Sequence, residues 1–196
     1  MITSNRLGLL IVLCFFMSQS FAQKLSSIEL SFAFPDSYDG VILSPSVQLD
    51  SKNHVWSVGP TLLVSYGDQI VQRESTKLTG VSIGYLNYLQ GREDKFNLFF
   101  LSELWYQRIK DVQDSRFFDP GTSSFQSFEI EQVDNTLQFF LGFGLDFAVS
   151  DKISLKQSIG TGINYTSRAV TSPFSDFSDP LFYRDWMIET GILFRL

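Results

Sequence analysis

The sequence predicts an all-β fold, an eight-stranded antiparallel up-and-down transmembrane β-barrel, and three observations predict it. Large apolar residues recur at every second position in about eight segments, the signature of strands whose two faces meet different environments. The connectors between those segments alternate between short and long. Within the segment cores, charged residues are confined to one parity.

The first segment, Leu25 to Phe34, puts Ile28, Leu30, Phe32 and Phe34 on one face. The second, Val41 to Leu49, shows Val41, Leu43, Val47 and Leu49, and the third, Val55 to Tyr66, shows Trp56, Val58, Leu62, Val64 and Tyr66. Val81, Ile83, Tyr85 and Leu89 line the fourth, Thr79 to Leu89. Phe96, Leu98, Phe100, Leu104 and Tyr106 line the fifth. The sixth runs without interruption through Leu137, Phe139, Leu141, Phe143, Leu145, Phe147 and Val149. Ile153, Leu155, Ile159, Ile163 and Tyr165 form the seventh, and Trp186, Ile188, Ile192, Phe194 and Leu196 the eighth. Each segment is close to the roughly 9–11 residues that a tilted strand needs to cross a bilayer. Pro45 and Pro60 interrupt the second and third, where each removes a ladder donor. A hairpin closed at Lys52-Asn53 sets the two prolines opposite each other and would confine the disruption to one rung.

Asp50 to His54, Gln90 to Lys95 and Ser150 to Lys152 read as short polar turns. Gly67 to Leu78, Arg108 to Gln132 and Ser167 to Leu181 read as long loops, with Pro35 to Gly40 intermediate. Outer-membrane barrels carry short turns at the periplasmic end and longer loops outside. A periplasmic N-terminus then assigns every short connector inward and every longer one outward.

The parity of the apolar residues carries no charge in the strand cores; Asn87, Ser102, Gln157, Thr161 and Thr190 are its polar members. The opposite parity carries Glu29, Glu103, Asp146, Lys156, Glu189 and Arg195, with small residues such as Ser82, Gly84, Gly142, Gly144, Gly160 and Gly162 between them. A charge at the middle of the lipid face costs roughly 2–4 kcal/mol, so the apolar parity is assigned to lipid and the charged one to the lumen. An eight-stranded barrel is just wide enough for its side chains to fill. The mixed charges are therefore expected to pair as a packed network, with a pore lining or proton path as the alternative.

Residues 1–22 have the form of a removable export signal: Arg6 is the basic start, Leu7 to Met17 the apolar run, and Ser20-Phe21-Ala22 a small-x-small cleavage site before Gln23. The run is too short for a comfortable membrane-spanning helix. Residues 23–196 are then one barrel domain. The single cysteine, Cys14, lies inside the signal and follows Leu13, where a lipidation site requires a small residue. Disulfides, thiolate metal sites and a cysteine nucleophile are excluded from the rest of the chain. With 21 Asp+Glu against 15 Lys+Arg the chain is acidic and has no basic run, which argues against nucleic acid as a partner.

His54 is the only histidine. Beside a Ser or an acid it could act as a general base, but its position in an expected periplasmic turn favours a solvent-exposed turn residue. The acidic positions Asp36, Asp39, Asp111, Asp114, Asp119, Asp176 and Asp179 lack ordered calcium-ligand spacing and are expected to be solvated loop residues. Phe117, Phe118, Phe125 and Phe128 cluster in one long connector, and Phe174, Phe177 and Phe182 in another. They mark either a partner surface or strand extensions that pack on each other above the membrane. Trp56, Tyr66, Tyr85, Tyr106, Tyr165 and Trp186 fall near strand ends, as an interfacial aromatic belt requires. No residue is assigned a catalytic, cofactor-binding or metal-ligating role.

The export signal, eight alternating segments and apolar last segment resemble the small outer-membrane β-barrel family of the OmpA/OmpX type. The Phe-rich, short chain resembles the variants common in Bacteroidota-like bacteria. The chain differs in lacking a periplasmic peptidoglycan-binding domain, and in ending at Leu196 with Phe194 two places earlier. The resemblance implies an integral protein of the cell outer membrane. It implies insertion by the barrel assembly machinery, contact with outer-membrane lipids and lipopolysaccharide, and no cofactor. A non-enzymatic barrel, structural or displaying extracellular loops, is the leading expectation. A minor pore or accessory component of a transport or secretion complex is the alternative, followed by a lipid-modifying enzyme. A soluble lipocalin-like barrel would turn its polar parity to solvent, yet here that parity is rich in Gly and Ser rather than Lys and Glu.

Overall fold

Each alternating segment becomes a strand, and the strands close into a ring. They are β1 (Lys24–Pro35), β2 (Gly40–Ser51), β3 (His54–Tyr66), β4 (Ser75–Tyr88), β5 (Phe96–Asp119), β6 (Ser124–Ala148), β7 (Ile153–Thr171) and β8 (Asp176–Arg195). Every neighbouring pair is antiparallel and consecutive, and β1 pairs with β8 from Ser27↔Arg195 to Pro35↔Met187 to close the barrel. The structure is a computed structural model that describes residues 24–36, 40–51, 53–66, 75–90, 94–119, 121, 124–171 and 176–196. The expected export signal at residues 1–22, and Phe174 and Asp39, lie outside the described residues.

Facing assignments follow the alternation. Phe143 and Leu141 of β6 are 62% and 53% exposed on the outer wall, while their neighbours Phe140 and Asp146 are fully buried within. The outer wall carries Ile28, Leu30, Phe32, Val58, Ile83, Phe100, Leu104, Phe139, Ile159, Ile163, Ile192 and Phe194. The lumen holds Ala33, Ile42, Val55, Leu86, Tyr88, Phe99, Leu101, Trp105, Phe140 and Met187 as its apolar filling. Charged and amide side chains lie among them.

Pro45 and Pro60 sit as the hairpin register requires, but the disruption is wider than one rung. The β2–β3 ladder runs from Ser51↔His54 to Val47↔Val58 and resumes only at Leu43↔Leu62. Two facing residues without N–H leave the strands free to shift there, and Gly59 fills the gap. A Cβ at Gly59 would overlap the Pro45 carbonyl, so this close approach requires glycine. On the far side of each proline the sheet is paired, with Leu30↔Pro45 to β1 and Pro60↔Val81 to β4.

The connectors expected as long loops differ most from expectation. Arg108 to Gln132 is nearly all strand: β5 and β6 stay paired from Phe96↔Phe147 to Asp119↔Ser124. Ser167 to Leu181 is likewise mostly strand, paired to Thr171↔Asp176. The β4–β5 ladder ends at Ser75↔Val112, β6–β7 at Glu131↔Thr171, and β8–β1 at Pro35↔Met187. The barrel therefore rises on one side into a wall built from β4 to β8. Above Val112 and Glu131 the β5–β6 hairpin continues as a two-stranded ribbon, with no ladder to β4 or β7 among the described residues. Both termini of the described barrel and the short turns lie at the opposite end.

Candidate functional site

Polar chemistry in this fold is concentrated in the lumen, and it is held there by strand parity. On β7, Lys156 and Ser158 point inward; on β8, Glu189; on β1, Glu29; on β5, Glu103. Lys156 pairs in register with Gly191, and Gly191 with Ser31. The missing side chain at Gly191 leaves room for the Glu29 carboxylate, whose Oε1 would lie 3.0 Å from a Cβ there. Across that gap Lys156 Nζ reaches Glu29 Oε1 at 2.7 Å and Glu189 Oε2 at 3.5 Å. Gln48 Nε2 donates to Glu29 Oε2 at 2.6 Å, and Ser27 Oγ donates to Gln48 Oε1 at 2.9 Å. Ser158 Oγ donates to Glu189 at 3.1 Å, and Trp105 Nε1 donates to Glu103 Oε2 at 3.2 Å. The Phe99 ring lies 5.9 Å from Lys156 Nζ.

Two further polar groups bracket this centre. Toward the turn end, Asp146 accepts from the Tyr88 hydroxyl at 3.3 Å, and Arg195 Nη2 lies 3.6 Å from its Oδ2. Toward the wall, Asp185 Oδ2 accepts from Gln138 Nε2 at 2.8 Å, and Thr136, Thr166 and Asn164 continue the chain of hydrogen bonds. At the base of the wall Arg168 Nε and Nη2 donate to Asp134 Oδ1 and Oδ2 at 3.0 and 3.1 Å, a bidentate contact that raises the Arg168 pKa above its ordinary value.

The charges expected to face inward, Glu29, Glu103, Asp146, Lys156, Glu189 and Arg195, all do so. Asp134, Asp185, Gln48, Gln107 and Gln138 join them. Their inward position follows from continuing each strand's parity. What parity alone does not reveal is which of them meet across the lumen. Among the described residues, no group of three or more His, Cys, Asp or Glu has an arrangement that could hold a metal ion.

His54 departs from its expected place. It is the first residue of β3 rather than a turn residue, and it faces outward. Its Nδ1 is 2.7 Å from the Tyr85 hydroxyl, its ring stacks on Tyr85 at 5.7 Å, and Trp56 lies 4.9 Å from the same tyrosine. Outward parity places it in an aromatic cluster at the turn end, away from the luminal carboxylates. Tyr165, tilted against Phe182 at 4.7 Å, and the exposed Trp186 lie at the other edge of the apolar band.

The loop aromatics resolve as strand extensions. Phe118 and Phe125 are register partners near the ribbon tip, Ser115 pairs with Phe128, and Phe125 is 73% exposed. The side chains of Phe117, Phe118 and Phe177 lie outside the described residues, as do those of Asp111, Asp114, Asp119 and Asp176. Asp36 and Asp179 are exposed. On the outer face of the wall, Lys110 and Glu131 form an ion pair at 2.9 Å.

No protein-family profile and no curated protein matches the sequence. Among solved structures, the fold is similar to a major outer membrane protein from Thermus thermophilus, with a TM-score of 0.52 and 12% identity over 88% of this chain and 100% of that one. The N-terminal β-barrel domain of Pseudomonas aeruginosa OprF gives 0.47 and 12% over 89% and 99%. The outer membrane protease OmpT from Escherichia coli gives 0.46 and 7% over 89% and 94%. At these identities the likeness concerns the fold alone, and of these three only the Thermus thermophilus protein is close enough to support it.

Proposed function

We propose that this chain is a non-enzymatic integral outer-membrane β-barrel that carries its β4–β8 wall and β5–β6 ribbon into the external medium as an interaction surface. One observation carries the reading: a closed ring whose outer wall is a predominantly apolar band and whose strand-core charges are turned inward. In water such a band would expose far more contiguous apolar surface than soluble proteins tolerate. In a bilayer it is the required solvent-facing surface, and closure leaves no unpaired sheet edge in hydrocarbon. The short turns then lie on the periplasmic side, and outer-membrane lipids and lipopolysaccharide surround the band. Insertion would use the barrel assembly machinery.

The lumen supports a plug over a pore, because Trp105, Phe99, Phe140, Met187 and Tyr88 are each at most 1% exposed within it. His54 has an exposed tyrosine partner rather than a serine or carboxylate, which supports a non-enzymatic barrel. The ribbon, with exposed Phe125 and the charged residues Arg116 and Glu129, supplies the surface for a protein partner.

Membrane fractionation combined with an unheated-versus-boiled gel shift tests the barrel, and planar-bilayer conductance tests the plug. The expected result is an outer-membrane, heat-modifiable protein without unitary conductance. A water-soluble, detergent-independent monomer overturns the membrane assignment, and reproducible single-channel steps overturn the plug.

A further inference from the structure

Charge is spread unevenly over the outside of the barrel. The middle of the apolar band carries none among the described residues, and at the turn end bases and acids mix, with exposed Lys95 and Lys152 beside exposed Asp94 and Asp151. Where β4 and β5 rise past the band, the balance is basic. Arg108 and Lys110 share the outward parity of Leu104 and Tyr106 on β5, and Lys77 of β4 is the register partner of Lys110. In a chain with 21 Asp+Glu against 15 Lys+Arg, this concentration of bases is a local reversal.

The patch is also rich in donors. Arg108 is exposed and has no hydrogen bond or ion pair among the described residues. Lys110 Nζ holds Glu131 at 2.9 Å, so the acid next above is already engaged. Asn135 stands opposite Arg108 in the β5–β6 ladder, and its Oδ1 accepts from the Tyr106 hydroxyl at 3.3 Å. The Asn135 amide nitrogen, with two N–H groups, is then left as a donor beside the guanidinium. Directly below, toward the turns, the same face presents exposed Val81, Leu104, Leu137 and Phe139.

A guanidinium, an ammonium and an amide on one surface suit a phosphate oxyanion, which accepts from all three. Like charges close together on a sheet repel, and an anion laid across them turns that repulsion into attraction. The apolar wall beneath suits hydrocarbon. One class of ligand meets both surfaces at once, a phosphate joined to acyl chains.

We propose that Arg108, Lys110 and Asn135, with Lys77 beside them in register, bind the phosphorylated headgroup of a lipid whose acyl chains lie along the β4–β6 face below. In the proposed orientation of the barrel, this lipid is the phosphorylated glycolipid of the outer leaflet. A soluble phosphate ester would leave the apolar half of the surface unused.

This inference rests on the membrane assignment, and the experiment separates the two. Residues 23–196 are folded in neutral detergent micelles and titrated with lipid A, and bound lipid is followed by native mass spectrometry. The expected results are a retained lipid A, binding roughly tenfold weaker after Arg108→Gln or Lys110→Gln, the scale of one charge-assisted hydrogen bond, and no change after Lys152→Gln at the turn end. Dephosphorylated lipid A should bind as weakly to the parent as lipid A does to the variants. The heat-dependent gel shift shows that each variant folds. The inference is overturned if Arg108→Gln and Lys110→Gln both bind like the parent, or if Lys152→Gln weakens binding as much as they do. It is equally overturned if phosphatidylglycerol displaces lipid A at equal concentration, which marks diffuse charge, or if glucosamine 1-phosphate competes as well as the lipid, which marks a soluble ligand. A chain that stays water-soluble without detergent would instead overturn the membrane assignment.

Discussion

At the scale of single residues, the lumen carries more acid than base among the described residues. Glu29, Glu103, Asp146, Asp185 and Glu189 face Lys156 and Arg195, and Lys156 bonds two of the carboxylates directly. Removing Lys156 leaves those carboxylates buried without their cation, the costly way to break a buried pair. Lys156→Met should therefore lower the folding free energy by about 3–5 kcal/mol in urea titrations of the reconstituted protein. Glu103→Gln removes an acid that has no cation within ion-pair distance among the described residues and should leave stability unchanged or raised. Gly59→Ala introduces a Cβ against the Pro45 carbonyl and should cost about 1–3 kcal/mol by the same titration. The inward charges were legible from parity in the sequence. Their pairing was not, because Lys156 and Glu29 are brought together by ring closure and by the space at Gly191, and neither is a local property of β7 or β1. His54 was misplaced by one strand boundary, which hides its outward parity beside Trp56 and Tyr85.

Among the elements, β1 to β3 match the alternating segments closely, whereas β4 begins at Ser75, ahead of its expected start, and β5 to β8 overrun theirs further. The 24 residues of β5 and 25 of β6 include a stretch that reads as loop, with Lys110, Asp111, Asp114, Ser115, Ser124 and Ser127 in it. The reason is the solvent. On the membrane reading proposed above, alternation is strong only where one face meets hydrocarbon; above that level the ladder continues with both faces in water, so the apolar period fades while the pairing does not. Phe118 opposite Phe125 is the trace that remains. On this account the ribbon contributes little to the barrel. Trypsin applied to intact cells should cut at Arg116 while leaving the barrel fragments associated and heat-modifiable. Deleting residues 113–130, bridged by a two-residue turn, should leave the gel shift intact and abolish any cross-links made through the ribbon.

For the whole molecule, closure and facing are the same fact seen twice. Because β1 meets β8, every strand has two neighbours, and each face is continuous around the ring. The sequence carried this in an even number of segments, in the parity of its charges and in short connectors at one end. It did not carry the asymmetric wall, which depends on unequal strand extension beyond the apolar band. A charge placed mid-band should be costly, and one placed on the ribbon should not. Leu141→Arg is expected to lose about 2–4 kcal/mol, and Phe125→Arg to change stability little. The most direct measurement is a spin-label scan along the outward positions of β6 in lipid bilayers. Labels at 137, 139, 141, 143 and 145 should collide with oxygen and be shielded from a water-soluble nickel reagent, while labels at 125, 127 and 129 should show the reverse. Nickel access at 141 and 143 equal to that at 127 would contradict the account.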